Sequence, residues 1–438
     1  MTKAGSTNSP EINAPEPDVK VPEDGSQVSG QASGYDLVLF VSTLMLAGFG
    51  LVMVYSASAF MSFTRYGSDT LFAKRQAAYF LIGLVAMYIG ARVDYRRYGK
   101  LAYPLLGAAF VLLVLVLVPG IGSRVAGARR WFRIGGVSFQ PAEFAKLALA
   151  IFLAVSAARK AGKIDTFSVG FLPHVLVAGA MLVLVLAQPD LGTAMLLMGL
   201  TFVVLFIAGT RLLYILMAVL AVAPVAWWAI VGTPWRFQRM VAFFEPEAHR
   251  SGAGYQIYES LITIGSGGWT GMGLGEGRQK LLFLPEGHTD FILPVIGQEL
   301  GFLGVVFVVV LIGVVLWRGT RIAIKAGDLF GTHLAFALTS LLVIEALINM
   351  GVVMALMPTK GLTLPLVSYG GSSLVMTMYS IGVLMNISKR NPVPASPASW
   401  KKARRLQIKE AVSLRKWAFS GNADLPVTAG KWTRGRQR

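Results

Sequence analysis

The chain has 438 residues, 55% of them hydrophobic and only 14% charged; soluble chains carry about 25% charged residues, so composition excludes a soluble fold in favour of an integral membrane protein. With no Cys and four scattered His, thiol nucleophiles, disulfides, iron–sulfur clusters and thiolate zinc sites are excluded as well. The net charge of +18 gathers largely in the C-terminal tail, where thirteen Lys/Arg face Glu410 and Asp424, a pattern of membrane orientation and anionic-lipid attraction that argues against nucleic acid.

Residues 1–34 are rich in Ser, Pro, Gly and acids, a composition that predicts a disordered tail. Without a basic start and short apolar core it does not read as a cleavable signal, so the first apolar segment should stay as a span. Ten segments are then long enough to cross roughly 30 Å of hydrocarbon as helices. They lie near 36–62, 77–93, 101–119, 141–157, 172–187, 190–209, 212–231, 290–317, 329–357 and 363–387. The expected fold is an all-α bundle of about ten transmembrane helices over 35–388, with a basic tail over 389–438. Only the Gln188-Pro189-Asp190 turn parts the fifth segment from the sixth, which leaves nine spans open. An even count places both tails beside Arg92, Arg96, Arg97, Lys100, Arg159, Lys160, Lys163, Arg211, Arg318, Arg321 and Lys325. That excess makes the shared side cytoplasmic. The first span alone argues the reverse, because Arg65, Lys74 and Arg75 follow it and its leading tail is acidic. No internal repeat of the transporter kind is visible.

The loop of roughly 120–140 carries Arg124, Arg129, Arg130 and Arg133 with no acid before Glu143, against the sorting rule for an exported loop. Arginine forks suit phosphate, so Arg129 and Arg130, with neighbouring Trp131, are candidates to hold a pyrophosphate and a sugar face. Glu143 and Lys146 lie three apart on one helix face and can neutralise one another. A helix-start signal after Pro141 explains Glu143, but not a Lys one turn into an apolar helix, where ionisable groups mark function by default. Gln188 and Asp190 repeat the entry pattern, with Asp190 equally readable as a cap.

The long stretch 232–289 holds Trp235, Phe243, Tyr255, Tyr258, Trp269 and Phe283, so folding back onto the membrane is expected rather than disorder. It closes with Glu286, His288 and Asp290 at the outer interface, where Thr289 or Asp290 is also a natural cap for the next helix. Glu345 and Asn349 share a face of the ninth span, open to interhelical hydrogen bonding or a substrate role. The run Pro365-Leu-Val-Ser-Tyr-Gly-Gly-Ser-Ser373 puts small and hydroxyl residues in the tenth span, with close helix packing as the alternative.

These residues carry a resemblance. The run Phe283-Leu-Pro-Glu-Gly-His-Thr-Asp-Phe-Ile292, with Gln298-Glu-Leu-Gly301 after it, resembles the signature of the SEDS family (shape, elongation, division and sporulation proteins). Gln140-Pro-Ala-Glu-Phe-Ala-Lys146, Gln188-Pro-Asp-Leu-Gly-Thr193 and Pro365–Ser373 match further family blocks in order, over roughly 36–390. Pro358-Thr-Lys-Gly-Leu-Thr-Leu-Pro365, Gly273-Leu-Gly-Glu-Gly-Arg-Gln-Lys280 and the two polar tails look more like the division branch than the elongation branch.

The resemblance implies a ten-span glycosyltransferase that polymerises lipid II into glycan strands on the outer face of the bacterial cytoplasmic membrane, at the septum. It makes a β-1,4 link with inversion. The family's essential extracellular acid falls on Asp290, its helix acid and base on Glu143 and Lys146. Gln188, Asp190, His288, Lys360 and Ser368 in the matched blocks join Arg129, Arg130 and Trp131 as substrate-binding candidates. Gln298 stands where many members carry a second acid, which puts any paired-acid argument there in doubt. The implied partners are lipid II, a class B penicillin-binding protein (an FtsI-like transpeptidase) and other divisome proteins. A divalent cation such as Mg2+ or Mn2+ is the one cofactor candidate. A lipid II flippase sharing Lys146, Glu345 and Asp190 is the first rival, and a non-catalytic divisome scaffold the second; only the enzyme needs a base at the outer interface.

Overall fold

The computed structural model describes residues 34–389 apart from 126, 135–136 and 278–284, all within one compact unit spanning 32–392. The expectations for the N-terminal tail, for the basic tail from 390 onward and for Phe283 lie outside the described residues. Twelve α-helices dominate the described residues: α1 Leu37–Tyr66, α2 Leu71–Arg92, α3 Arg96–Leu115, α4 Pro141–Arg159, α5 Leu172–Ala187, α6 Leu191–Ala208, α7 Leu212–Val231, α8 Pro234–Phe244, α9 Tyr255–Ser266, α10 Ile292–Lys325, α11 Leu329–Val353 and α12 Gly371–Lys389. Among the described residues, seven helical segments are long and apolar enough to cross a membrane: α1, α3, α4, α5 with the turn before it, α6, α10 and α11. Helices also occupy the other three expected spans, but α2 opens with Lys74 and Arg75, α7 contains Pro224 and α12 is rich in hydroxyls. The fold is therefore a mostly helical, multi-pass membrane protein. It is not purely helical. The arginine-rich loop folds into an antiparallel sheet of β1 Ser123–Val125, β2 Ala128–Ile134 and β3 Val137–Phe139, with Trp131 opposite Ser123 and Arg133 opposite Ser138.

Helix α4 is the central post, buried over nearly its whole length and packed on α3, α6 and α11. In a membrane the lipid is as apolar as Leu, so helices associate through close packing of small residues rather than through escape from water. Ala142, Ala145, Ala148, Ala150, Ala154 and Ala157 give α4 that surface. Asp36 and Asp328 cap α1 and α11 by accepting from the main-chain N–H of Leu39 and Gly331, which supplies acceptors for donors that the helix itself leaves unpaired. Asp190 does the same for α6, so the fifth and sixth segments are separate helices.

Two expected spans differ from the structure. The eighth is broken at Gly301, whose φ of 67° and ψ of −164° no helix contains. Backbone groups freed by a break have no water at membrane depth and must pair within the protein. Here the turn after α9 recaptures them: Met272 and Gly273 donate to the Gln298 and Glu299 carbonyls, both at 3.0 Å, while Phe302 and Leu303 donate to Gly268 and Trp269 at 2.9 and 3.2 Å. The result is a buried half-helix, Ile292–Leu300, ahead of the crossing segment. The tenth span begins later than expected, at Gly371. Pro358 and Pro365 cannot sit inside a helix without losing bonds and clashing, and 354–370 instead forms a non-helical strap with Leu362, Leu364, Leu366 and Val367 buried.

Candidate functional site

The strap and the turn before α10 meet at Asp290. Glu286 takes a positive φ of 58°, and its carbonyl accepts from the N–H of Thr289 and of Phe291 at 3.1 and 3.2 Å. The Thr289 hydroxyl donates to the Glu286 carboxylate at 2.9 Å. This tight turn delivers Asp290 just ahead of α10. The cap position of α10 is Phe291, with no side-chain cap bond, so neither Thr289 nor Asp290 caps the helix and that alternative reading is set aside. No hydrogen bond fixes the Asp290 carboxylate among the described residues.

Its surroundings are charged. Burial pushes the Asp290 carboxyl up to about 7, the neighbouring carboxylates of Glu286 and Asp190 push the same way, and the guanidinium groups of Arg130 and Arg239 pull against them. Asn349 on α11 donates to the Asp290 carbonyl at 2.8 Å. Such an acid holds and releases a proton near neutrality, the property a general base needs.

The arginine sheet reaches the site through Arg130. Its Nε donates to the Gln188 carbonyl at 2.8 Å and its Nη2 to that of Pro189, so part of the expected phosphate fork anchors the turn into α6. Gln188 in turn donates from its side chain to the Leu113 carbonyl at 3.2 Å. Both Asp190 oxygens are engaged by Thr193, through its N–H and its hydroxyl, each at 3.0 Å. Arg129 donates to the Leu117 carbonyl at 3.4 Å, and Trp131 is partly exposed.

A second charged group lies inside the bundle. The Lys146 ammonium contacts Glu143 at 2.8 Å, as the three-residue spacing foretold, and both oxygens of Glu345 at 2.8 and 2.9 Å. All three side chains are buried. Glu345 and Asn349 stand one turn apart on α11, so one helix links this triad to Asp290.

His288, Lys360 and Ser368 lie around the strap. Phe72 and Tyr369 pack on the buried His288 ring with centroids 4.9 and 5.6 Å away, and burial lowers the imidazole's pKa, which favours its neutral form. Ser368 accepts from the Leu364 N–H at 2.8 Å and closes the strap's last turn. Lys360 touches Met195, and burial lowers its ammonium to about 8. Among the described residues no group of three or more His, Asp or Glu is placed to hold a metal ion.

Residues 37–392 match the family described as "Cell cycle protein", that of FtsW, RodA and SpoVE. The chain belongs to this FtsW/RodA/SpoVE family. It is 46% identical over 354 residues to a probable peptidoglycan glycosyltransferase FtsW of Trichlorobacter lovleyi, covering 81% of this chain and 93% of that one. It is 41% identical to stage V sporulation protein E of Bacillus subtilis, over 81% and 97% of the two chains. A chain of a solved peptidoglycan synthase complex that coordinates polymerization and crosslinking superposes with a TM-score of 0.68 at 30% identity, covering 81% of this chain and 98% of that one. The rod shape determining protein RodA of Thermus thermophilus superposes with a TM-score of 0.61 at 30% identity, over 82% and 98%. As a member of the FtsW/RodA/SpoVE family, the chain brings together Asp290 and Asp190 from two matched blocks and Arg130 from the arginine-rich loop. It keeps the Glu143–Lys146 pair in a different cluster, one turn of α11 away. Arg239 on α8 escaped the sequence reading; its only signal was a pair of arginines three apart, Arg236 and Arg239, on a short helix after Pro234.

Proposed function

We propose that the chain is a peptidoglycan glycosyltransferase of cell division that polymerises lipid II with Asp290 as general base. The names of its relatives support the activity. What carries the assignment to Asp290 is its carboxylate, which caps no helix and which burial pushes up to about 7 against the pull of two nearby guanidinium groups.

The acceptor sugar hydroxyl is a poor nucleophile until its proton is accepted. Asp290 takes that proton as the oxygen attacks the donor's anomeric carbon. The bond to the prenyl pyrophosphate breaks on the opposite face, its electron pair leaving with the phosphate oxygen, and the configuration inverts to the β-1,4 link. Arg239, Arg129 and the part of the Arg130 fork not held by carbonyls oppose the charge that builds on the pyrophosphate. A divalent cation such as Mg2+ or Mn2+ would be carried chiefly by the pyrophosphate itself. The same proposal places ten spans in the cytoplasmic membrane at the septum, with the site outside and a class B penicillin-binding protein as partner. The likeness to a synthase complex that coordinates polymerization and crosslinking supports that partner.

The test is glycan polymer formed from lipid II by purified protein together with its transpeptidase partner. Asp290→Asn keeps size but loses basicity, and is expected to lower the rate about 10²–10⁴-fold with folding and partner binding intact. In the wild type the rate should fall as pH drops through about 7, where the base becomes protonated. An Asn variant that polymerises at the wild-type rate would remove Asp290 from the role.

A further inference from the structure

Asn349 is buried on α11, and its amide nitrogen serves two chain segments at once. It donates to the Asp290 carbonyl at 2.8 Å and to the Leu362 carbonyl at 2.7 Å. One acceptor lies in the turn before α10, the other in the strap between α11 and α12. Both are carbonyl oxygens, so the amide's orientation is settled: the nitrogen faces them. A second tie joins the same two segments, from the Tyr369 N–H to the His288 carbonyl at 2.9 Å. Together these bring the strap so near that a Cβ at Gly361 would sit 3.2 Å from Oδ2 of Asp290. With no hydrogen bond of its own among the described residues, the carboxylate is placed by its main chain and by the bare backbone of Gly361.

We propose that Asn349 is a positioning residue for glycan polymerisation, its amide clamping the Asp290 main chain to the strap and so holding the carboxylate against Gly361 in one orientation toward the attacking hydroxyl. The proposal rests on the reading of Asp290 as the base. Among the described residues the Asn349 amide donates to main-chain carbonyls and not to the carboxylate, so it acts through the chain that carries it. A misplacement of about 1 Å at a reacting group lowers rates roughly 10²-fold, which sets the size of the effect.

The experiment measures kcat and KM for lipid II across the pH range around neutrality, normalised to folded protein, with the full-length chain and its partner. Asn349→Ala should lower kcat about 10²-fold with KM little changed. Its acid limb should move to lower pH, because a carboxylate released from the clamp regains water. Lost packing alone would reduce the folded fraction and leave the acid limb where it was. Gly361→Ala leaves the amide intact and sets a methyl against the carboxylate; it should also lower kcat with KM held, and it decides the matter where Asn349→Ala does not fold. Wild-type kcat in the folded Asn349→Ala protein or in Gly361→Ala, or an acid limb unmoved in Asn349→Ala, overturns the proposal. Asp290→Asn runs in the same assay. If it is inactive while Asn349→Ala is fully active, only the clamp is rejected; if it is active, the base reading itself falls.

Discussion

Lys146 is one ammonium between two carboxylates, Glu143 and Glu345, and all three are buried. Removing one member of a buried ionic group leaves the remainder without compensation, which costs roughly 3–5 kcal/mol. Lys146→Met should therefore lower the thermal stability of the purified protein by about that amount. Adding Glu143→Gln and Glu345→Gln should restore most of it. A single variant as stable as the wild type would show that the triad is not held ionised. The sequence announced half of this arrangement, since Glu143 and Lys146 share a helix face by spacing alone. It announced Glu345 only as a charge in a span, because pairing across 199 positions leaves no local pattern. For Asn349 the sequence left hydrogen bonding between helices and a substrate role both open and named no partner, because its partners are carbonyls, which every residue has.

At the scale of elements, apolar runs located the helices at the ten expected segments but not α8 and α9, and two of the segments were drawn wrongly for the same reason. Hydropathy registers composition and not backbone direction. The run through Gly301 stays apolar on both sides, so the break is invisible until the turn 267–273 is seen to receive its freed amides and carbonyls. Gly301→Ala tests how much this junction matters. At a φ of +67°, an added Cβ would meet the Gly271 nitrogen at 2.4 Å, and the strain alone costs about 1–3 kcal/mol. The variant should show a lower melting temperature and lower polymerisation, since the half-helix Ile292–Leu300 follows directly on Asp290. Wild-type melting and activity would mean that the turn yields freely and that the break holds nothing in register. The strap teaches the complementary lesson, because Pro358 and Pro365 did mark a helix stop that hydropathy overran.

The described residues form two chemically different ends, and that difference predicts an orientation in the membrane. At one end the Arg318 guanidinium grips Asp36 at 2.6–3.0 Å, the Tyr95 hydroxyl donates to Asp328 at 2.6 Å, its N–H donates to Asn386 at 3.0 Å, and Arg159 donates to the Gly99 carbonyl at 3.0 Å. These contacts collect the starts of α1, α3 and α11 with the ends of α4, α10 and α12, and with them the loops richest in Lys and Arg. At the other end lie Arg130, the Gln188–Asp190 turn, Asp290 and the strap. Basic loops stay on the cytoplasmic side of a membrane, so the site should open outward, where a lipid-linked sugar awaiting polymerisation would be met. Reporter fusions after Lys100, Lys163 and Lys325 are expected to read cytoplasmic, and a fusion between α8 and α9, near Ser251, external. The arginine sheet is the exception to the sorting rule that this orientation requires, and Arg130's bonds to the turn into α6 show where one of those charges is used. A cytoplasmic signal from the fusion near Ser251 would invert the molecule. Asp290 would then face a compartment in which no exported glycan strand is built.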